Sequence, residues 1–396
     1  MLRRQFIASA AAALPLVAAG RVWAAPQVKT RLLVVFLRGA YDAANVVIPV
    51  GADFYYQSRP TIAVAKPDPA NPNAAIALDA DWGLHPALKD TIYPLWQKKQ
   101  IAFVPFAGTD DLSRSHFETQ DSIERGQPLQ GVYDYNSGFM NRLVLQLSGA
   151  QPIAFTAQLP LTFRGDHGVP NTDVSMTGKS GLNARDTKLI EQMYQGLPLE
   201  SVVNEGFQVR DKVYQSMSQE MVAANRGATS PKGFELSARR IARLMKTQFN
   251  VGFVDVGGWD THVNQGGAQG YLANRLGELG RGLAGYADEI GPEDWNNTVV
   301  VVISEFGRTF HENGDKGTDH GHGSAYWVMG GKVNGGQMLG RQASVTQASL
   351  NQNRDYPVLN EYRAMFGGLF QRLYGLDGKR LAEVFPQAPP VDLRLV

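Results

Sequence analysis

Cysteine is absent from the 396 residues, which excludes disulfides and every thiolate metal site. Excess charge is missing as well, since 38 Lys plus Arg stand against 37 Asp plus Glu. That balance gives no electrostatic footprint for nucleic acid or for an anionic membrane, and neither is expected as a partner. Long apolar runs are also lacking. The stretch from Phe6 to Ala19 covers 14 residues, short of the roughly 20 that cross a bilayer. No later segment is longer, so the mature chain is expected to have no transmembrane anchor.

That short run has telling neighbours. Arg3-Arg4-Gln5-Phe6-Ile7 opens it, and Val22-Trp23-Ala24 closes it with small residues. A basic start, a short apolar middle and a small-residue exit describe a secretory signal. Paired arginines with Phe two positions later point to the twin-arginine version. Residues 1–25 are therefore expected to be a signal peptide cleaved near Ala24-Ala25, with the twin-arginine export machinery as partner and the periplasm as destination. Removing residues 1–24 takes away Arg3, Arg4 and Arg21 and leaves 35 basic against 37 acidic residues. An exported chain without disulfides must be held by its core, and residues 26–396 are long enough to bury one.

Short apolar runs alternate with longer amphipathic stretches, the pattern of an α/β protein with a mainly parallel sheet. Thr30 to Leu37, Ile101 to Phe106, Ile153 to Ala157, Val251 to Val256 and Thr298 to Ser304 read as strands buried on both faces. Tyr326 to Met329 is a weaker strand. Helices are expected over Pro86–Lys99, His116–Glu124, Ser137–Leu147, Arg185–Tyr194, Gly206–Ala224, Glu235–Gln248, Ala268–Glu289 and Asn360–Tyr374. Residues 66–83 and 160–183, rich in Pro, Asn and Gly, read as loops or a small insertion. The whole reads as a single domain with a helical middle section near 185–250.

Polar clusters follow the strands, where an open α/β sheet places its ligands. After the first strand come Asp42 and Asn45, beyond the flexible Gly39. After the second come Ser113, Arg114, Ser115 and His116, entering a helix. A serine there meets amide donors and a positive dipole, suited either to nucleophilic attack or to capping. Arg114 could clamp an oxyanion, and His116 would orient the serines. Gly257-Gly258-Trp259-Asp260-Thr261-His262 sets a carboxylate and an imidazole two residues apart. The densest cluster runs from Glu305 and Arg308 to Asp319, His320 and His322, set among glycines. Asp42, Asp260, His262, Glu305, Asp319, His320 and His322 form a mixed N/O ligand set without sulfur. Such a set suits one or two divalent ions, zinc, manganese or iron, and suits calcium or magnesium less well where imidazoles dominate.

FLRGAYDAAN, LHPAL, SRSHFE, GWDTH, SEFGRT and GTDHGHGS occur in that order. The set resembles an exported bacterial family assigned to a domain of unknown function, and that family is similar to the alkaline phosphatase and sulfatase superfamily. The resemblance implies an alkaline phosphatase-like three-layer sandwich, a central mostly parallel sheet flanked by helices. It implies Asp42 as a ligand from the first strand, Ser113 or Ser115 as nucleophile, and Asp260 and His262 as ligands of one metal. His320 or His322 would match the last histidine ligand. Glu305 stands where the superfamily usually has Asp followed by His, but Phe306 follows here. Gly39-Ala40 stands where two glycines are more usual.

These readings converge on a periplasmic metal-dependent hydrolase of a phosphate or sulfate ester, a small anionic substrate, with Arg114 or Arg308 stabilising developing negative charge. The alternative is a non-catalytic envelope protein that keeps the hydrolase fold to bind a ligand or partner. Geometry separates them: a catalytic serine must converge on the metal ligands. A third reading keeps the metal and replaces serine with water.

Overall fold

Runs of Leu, Val and Ile have too much β-branching and too little polarity to lie on a surface, and they form the centre of the sheet. The computed structural model describes residues 27–174, 184–208 and 233–396. The expected signal segment and most of the Gly206–Ala224 helix lie outside the described residues. The strands are β1 (Arg31–Leu37), β2 (Val47–Ile48), β3 (Ile76–Ala77), β4 (Gly83–Leu84), β5 (Ile101–Gly108), β6 (Pro152–Ala154), β7 (Val251–Val256), β8 (Thr298–Ser304), β9 (Ser324–Met329) and β10 (Asn360–Glu361). The helices include α1 (His116–Arg125), α2 (Phe139–Leu145), α3 (Ala184–Tyr194), α4 (Phe234–Thr247), α5 (Tyr271–Ile290), α6 (Tyr362–Tyr374) and α7 (Gly378–Val384).

Seven strands form one sheet in the order β10-β5-β9-β8-β1-β7-β6. β1 lies between β8 and β7, parallel to both, with Leu32 opposite Val251 and Val299. β9 alone runs antiparallel, against β5 and β8. Because β9 reverses direction, the carboxyl ends of β1, β5, β7 and β8 and the amino end of β9 all open on one rim. The loop from Glu305 to Gly323 therefore leaves and returns at that rim.

Alternate residues of β1 enter different cores. Leu33, Val35 and Leu37 pack with Ile241 and Met245 of α4 and with Leu276 and Leu283 of α5. Leu32, Val34 and Phe36 pack with Leu143 of α2, Phe366 of α6 and Phe385 beyond α7. Helices thus cover both faces, in three layers. α4 and α5 owe their place to apolar stripes at helical spacing, since Ala238, Ile241, Ala242 and Met245 are buried.

Two expectations need correction. The helix expected over Pro86–Lys99 is broken into a 3-10 turn, Pro86–Leu88, and a short helix, Tyr93–Gln97. Pro94 opens the second piece, because a ring without an N–H is tolerated in a first turn and not in a helix interior. The region before β5 also holds a small antiparallel sheet, β2-β4-β3, built from two-residue strands too short for periodicity to reveal.

Candidate metal centre

Four chain segments meet at the rim. The segment after β5 enters α1 and brings His116 in its first turn. The segment after β7 brings Asp260 and His262. β8 runs directly into Glu305 and Arg308. The loop returning to β9 brings Asp319 and His320. That loop is paired against itself: Gly307 N donates to His322 O at 2.8 Å, Thr309 N to Asp319 O at 2.9 Å, and Gly321 N to Gly307 O at 2.8 Å. This pairing sets His320 beside Arg308. Close approach needs glycine at two further points. A Cβ on Gly39, whose φ is +114°, would lie 2.9 Å from Asp260 N, and one on Gly317 would lie 2.2 Å from His262 O.

Each of three imidazoles has its Nδ1 held from outside. His116 Nδ1 lies 2.8 Å from Glu305 Oε1. His262 Nδ1 lies 3.0 Å from Asp319 Oδ1. His320 Nδ1 lies 2.8 Å from the carbonyl oxygen of Arg114. An ionised carboxylate or a carbonyl can only accept, so in each ring Nδ1 carries the proton and donates. In a neutral ring the lone pair is then on Nε2.

The three Nε2 atoms turn toward the Asp260 carboxylate. His262 Nε2 and His320 Nε2 are 3.1 Å apart. Asp260 Oδ1 lies 2.9 Å from His262 Nε2 and 3.4 Å from His320 Nε2. Asp260 Oδ2 lies 3.5 Å from His116 Nε2, and that nitrogen is buried without a hydrogen-bond partner. Donor atoms of His116, Asp260 and His320 all lie within 4.8 Å of one another. Lone pairs facing lone pairs and a carboxylate repel unless a cation stands between them. Ligands on one tetrahedral ion, with bonds near 2.0–2.1 Å, stand about 3.4 Å apart, close to the separations found here. Imidazole held by an outer acceptor is also the usual state of a metal-binding histidine. The residues present therefore fit a first-row divalent ion.

The surrounding charge agrees. Asp260, Glu305 and Asp319 bring three carboxylates against one guanidinium, that of Arg308. Arg308 Nη1 donates to Asp260 Oδ1 at 2.6 Å, and its remaining nitrogens engage Thr318. Asp260 has its pKa lowered although burial opposes this, because Arg308 and then His262 and His116 favour the anion. The Glu305 carboxyl is completely buried, which would raise its pKa. Hydrogen bonds from His116, Gln120 and the Gly39 amide outweigh burial and keep it low. Glu305 in turn raises the pKa of His116.

Expected ligands divide accordingly. Asp260, His262 and His320 come together with His116. Glu305 and Asp319 stand one layer out, behind His116 and His262. Asp42 does not join them. It is buried, and both its oxygens accept from Arg59, at 2.5 and 3.0 Å, while Gln265 donates to it at 2.6 Å. His322 does not join the donor group either: it is buried with an unpartnered Nδ1, its charged neighbours are Asp355, Arg114 and Asp110, and burial lowers its pKa. The serines do not face the cluster through any of their hydrogen bonds. Ser115 Oγ accepts from Glu118 N as the cap of α1, and Ser113 Oγ pairs with Thr119 Oγ1 at 3.1 Å. Arg114, in a left-handed conformation with φ of +52°, sends its side chain to Asp355 and Gln352. Its contribution to the centre is its carbonyl. His116 as a donor went unrecognised in the sequence, although its place in the first turn after β5 was the available signal.

A family model described as DUF1501, a protein of unknown function, matches residues 29–385. The chain belongs to the DUF1501 family. No curated protein matches it. Among solved structures, Ps i-CgsB in complex with k-i-k-neocarrahexaose is 11% identical over 89% of this chain and 74% of its own, with a TM-score of 0.40. A protein in the alkaline phosphatase superfamily from Vibrio parahaemolyticus is 13% identical over 88% of this chain and 67% of its own, with a TM-score of 0.38. The alkaline phosphatase of the Antarctic bacterium TAB5 is 10% identical over 77% and 92%, with a TM-score of 0.24.

Proposed function

We propose that this DUF1501 protein is a metal-dependent hydrolase of a phosphate or sulfate ester, working in the periplasm. The observation that carries the proposal is the convergence of the Nε2 atoms of His116, His262 and His320 on the Asp260 carboxylate. The resemblance of the GWDTH and EFGRT…GTDHG motifs to the alkaline phosphatase and sulfatase superfamily supplies the ester class. A divalent ion held there would polarise the ester oxygen and stabilise charge on the leaving oxygen. Glu305, Asp319 and the Arg114 carbonyl fix the ring orientations. Arg308 limits the negative charge of Asp260, so an anionic ester meets less repulsion. Both candidate serine hydroxyls are engaged with α1, so water is the attacking group in this reading. Zinc, manganese and iron suit three imidazoles and a carboxylate.

The donor count favours a second reading. His116, Asp260 and His320 form one donor group; were His262, 3.1 Å from His320 Nε2, to complete it, a tetrahedral ion would be filled, and a closed site is the mark of structural rather than catalytic zinc. Under that reading the protein keeps the hydrolase fold as a non-catalytic envelope protein.

The experiment is metal analysis of chelator-stripped and reloaded protein, with a screen of aryl phosphates and aryl sulfates. Hydrolysis by the loaded wild type, lost in His116→Ala and His320→Ala, supports the enzyme. Metal binding without hydrolysis supports the closed site. Failure of zinc, manganese, iron and calcium to bind sinks both. Export is proposed on Arg3-Arg4 and the Val22-Trp23-Ala24 exit, and an Arg3→Lys, Arg4→Lys chain reaching the periplasm unimpaired would refute it.

A further inference from the structure

Gln265 is completely buried and lies just beyond His262 in the chain. Its amide oxygen accepts from Thr261 Oγ1 at 2.7 Å and from Thr318 Oγ1 at 3.0 Å. Thr261 sits between Asp260 and His262, and Thr318 directly precedes Asp319 and His320. One oxygen atom thus joins the two loops that carry most of the metal donors. The main chain repeats the connection, with Thr318 N donating to Thr261 O at 3.0 Å and Gln265 N to Lys316 O at 2.9 Å.

The orientation of that amide is dictated from behind. Gln265 Nε2 donates to Asp42 Oδ2 at 2.6 Å, and a carboxylate can only accept, so the oxygen must face the threonines. Arg59 fixes Asp42 through both Nη atoms, which also donate to Asn45 Oδ1 and Thr309 O at 2.9 Å each, while its Nε donates to Phe310 O at 2.7 Å. Thr309 and Phe310 directly follow Arg308. Arg308 Nε donates to Thr318 Oγ1 at 3.2 Å, so the single Thr318 hydroxyl proton goes to Gln265. Each donor and acceptor in this chain has one role, running from Asp42 through Gln265, Thr318 and Arg308 to Asp260.

We infer that Gln265, oriented by Asp42 and Arg59, is a positioning residue that sets the spacing between the Asp260/His262 loop and the Asp319/His320 loop, and with it the affinity for the cation. The inference rests on the metal reading of the preceding subsection. Asp42 acts here as an anchor two hydrogen bonds behind the loops rather than as a ligand. Loss of an outer partner of this kind typically costs about 10–100-fold in metal affinity.

The test is titration of chelator-stripped protein with cobalt(II), reading its visible absorption band and its dissociation constant. Gln265→Leu and Thr318→Val should each weaken cobalt binding by about 10–100-fold and alter the band, whereas Thr318→Ser, which keeps the hydroxyl, should restore both. Thr318→Val keeps the side-chain shape and carries the result should Gln265→Leu not fold. A folded Thr318→Val protein with unchanged band and dissociation constant, merely less stable, overturns the inference. A wild type that binds no cobalt, indistinguishable from His320→Ala, removes the metal reading itself, a result separable from the first.

Discussion

Replacing Glu305 by Gln tests the outer layer of the centre directly. Glu305 is completely buried, and its carboxylate accepts from Gly39 N, His116 Nδ1 and Gln120 Nε2 at 2.8 Å each and from Ser304 Oγ at 3.0 Å. Glutamine removes the charge: its single oxygen can still accept from Gly39 N, His116 Nδ1 and Gln120 Nε2, which all reach Oε1, and its NH2 faces the Ser304 hydroxyl, which then donates to Leu37 O. Breaking a buried charged partnership costs about 3–5 kcal/mol. Because glutamine keeps one acceptor oxygen, the lower end, about 3 kcal/mol, is expected. The pH dependence gives the sharper signature. The pKa of Glu305 is lowered from 4.5, so its stabilisation is present above that pH and is lost as pH falls through the folded value. The pKa of His116 is raised from 6.5, so its stabilisation is full below that pH and is lost as pH rises through the folded value. Metal-free protein should therefore gain most from this pair between pH 4.5 and 6.5, and Glu305→Gln should flatten that maximum. Urea denaturation of chelator-treated wild type and variant at a series of pH values measures it. Parallel curves, offset by a constant or superimposed, would refute the reasoning.

Asp42→Ala leaves the buried Arg59 guanidinium without its counter-ion and should cost about 3–5 kcal/mol in urea denaturation; a cost below about 1 kcal/mol would deny the pair its anchoring role. A Ser113→Ala, Ser115→Ala protein should keep its hydrolytic rate and lose about 1 kcal/mol of stability through the missing cap of α1, and a rate falling to background would reinstate a serine nucleophile. Metal affinity should fall on acidification, because Nε2 must be unprotonated to bind, and the fall should begin above pH 6.5 for the Glu305-linked His116; pH-independent binding in a competition assay contradicts this. One ion per chain is expected, since the described residues bring together a single group of donors, His116, Asp260 and His320, and metal analysis giving two would show otherwise.

Much of the architecture was legible because its cause is local. TVVVVIS and VGFVDV can only be buried strands, and they became β8 and β7 at their expected limits. The rim position of GWDTH, EFGRT and GTDHGH follows from those strands. Direction was not legible. β9 reads as one more apolar run, and nothing in SAYWVM tells that it enters the sheet antiparallel. That reversal decides that the loop from Glu305 must turn back on itself and bring Asp319 and His320 to Arg308. The division between inner and outer donors is equally hidden. Glu305 and Asp260 are both acids after strands, but Glu305 directly follows β8, level with the sheet, where Gly39 N and His116 reach it first. Asp260 lies four residues past β7, beyond two glycines and Trp259, and so stands further out where the imidazoles meet. Asp42 matched the expected ligand type and position. It is claimed instead by Arg59, a residue in no motif, because Asp42 is the carboxylate that this buried guanidinium bonds among the described residues. Residue type and strand proximity thus select which side chains reach the rim, whereas the competing demands of buried partners select which are left with a lone pair for a cation.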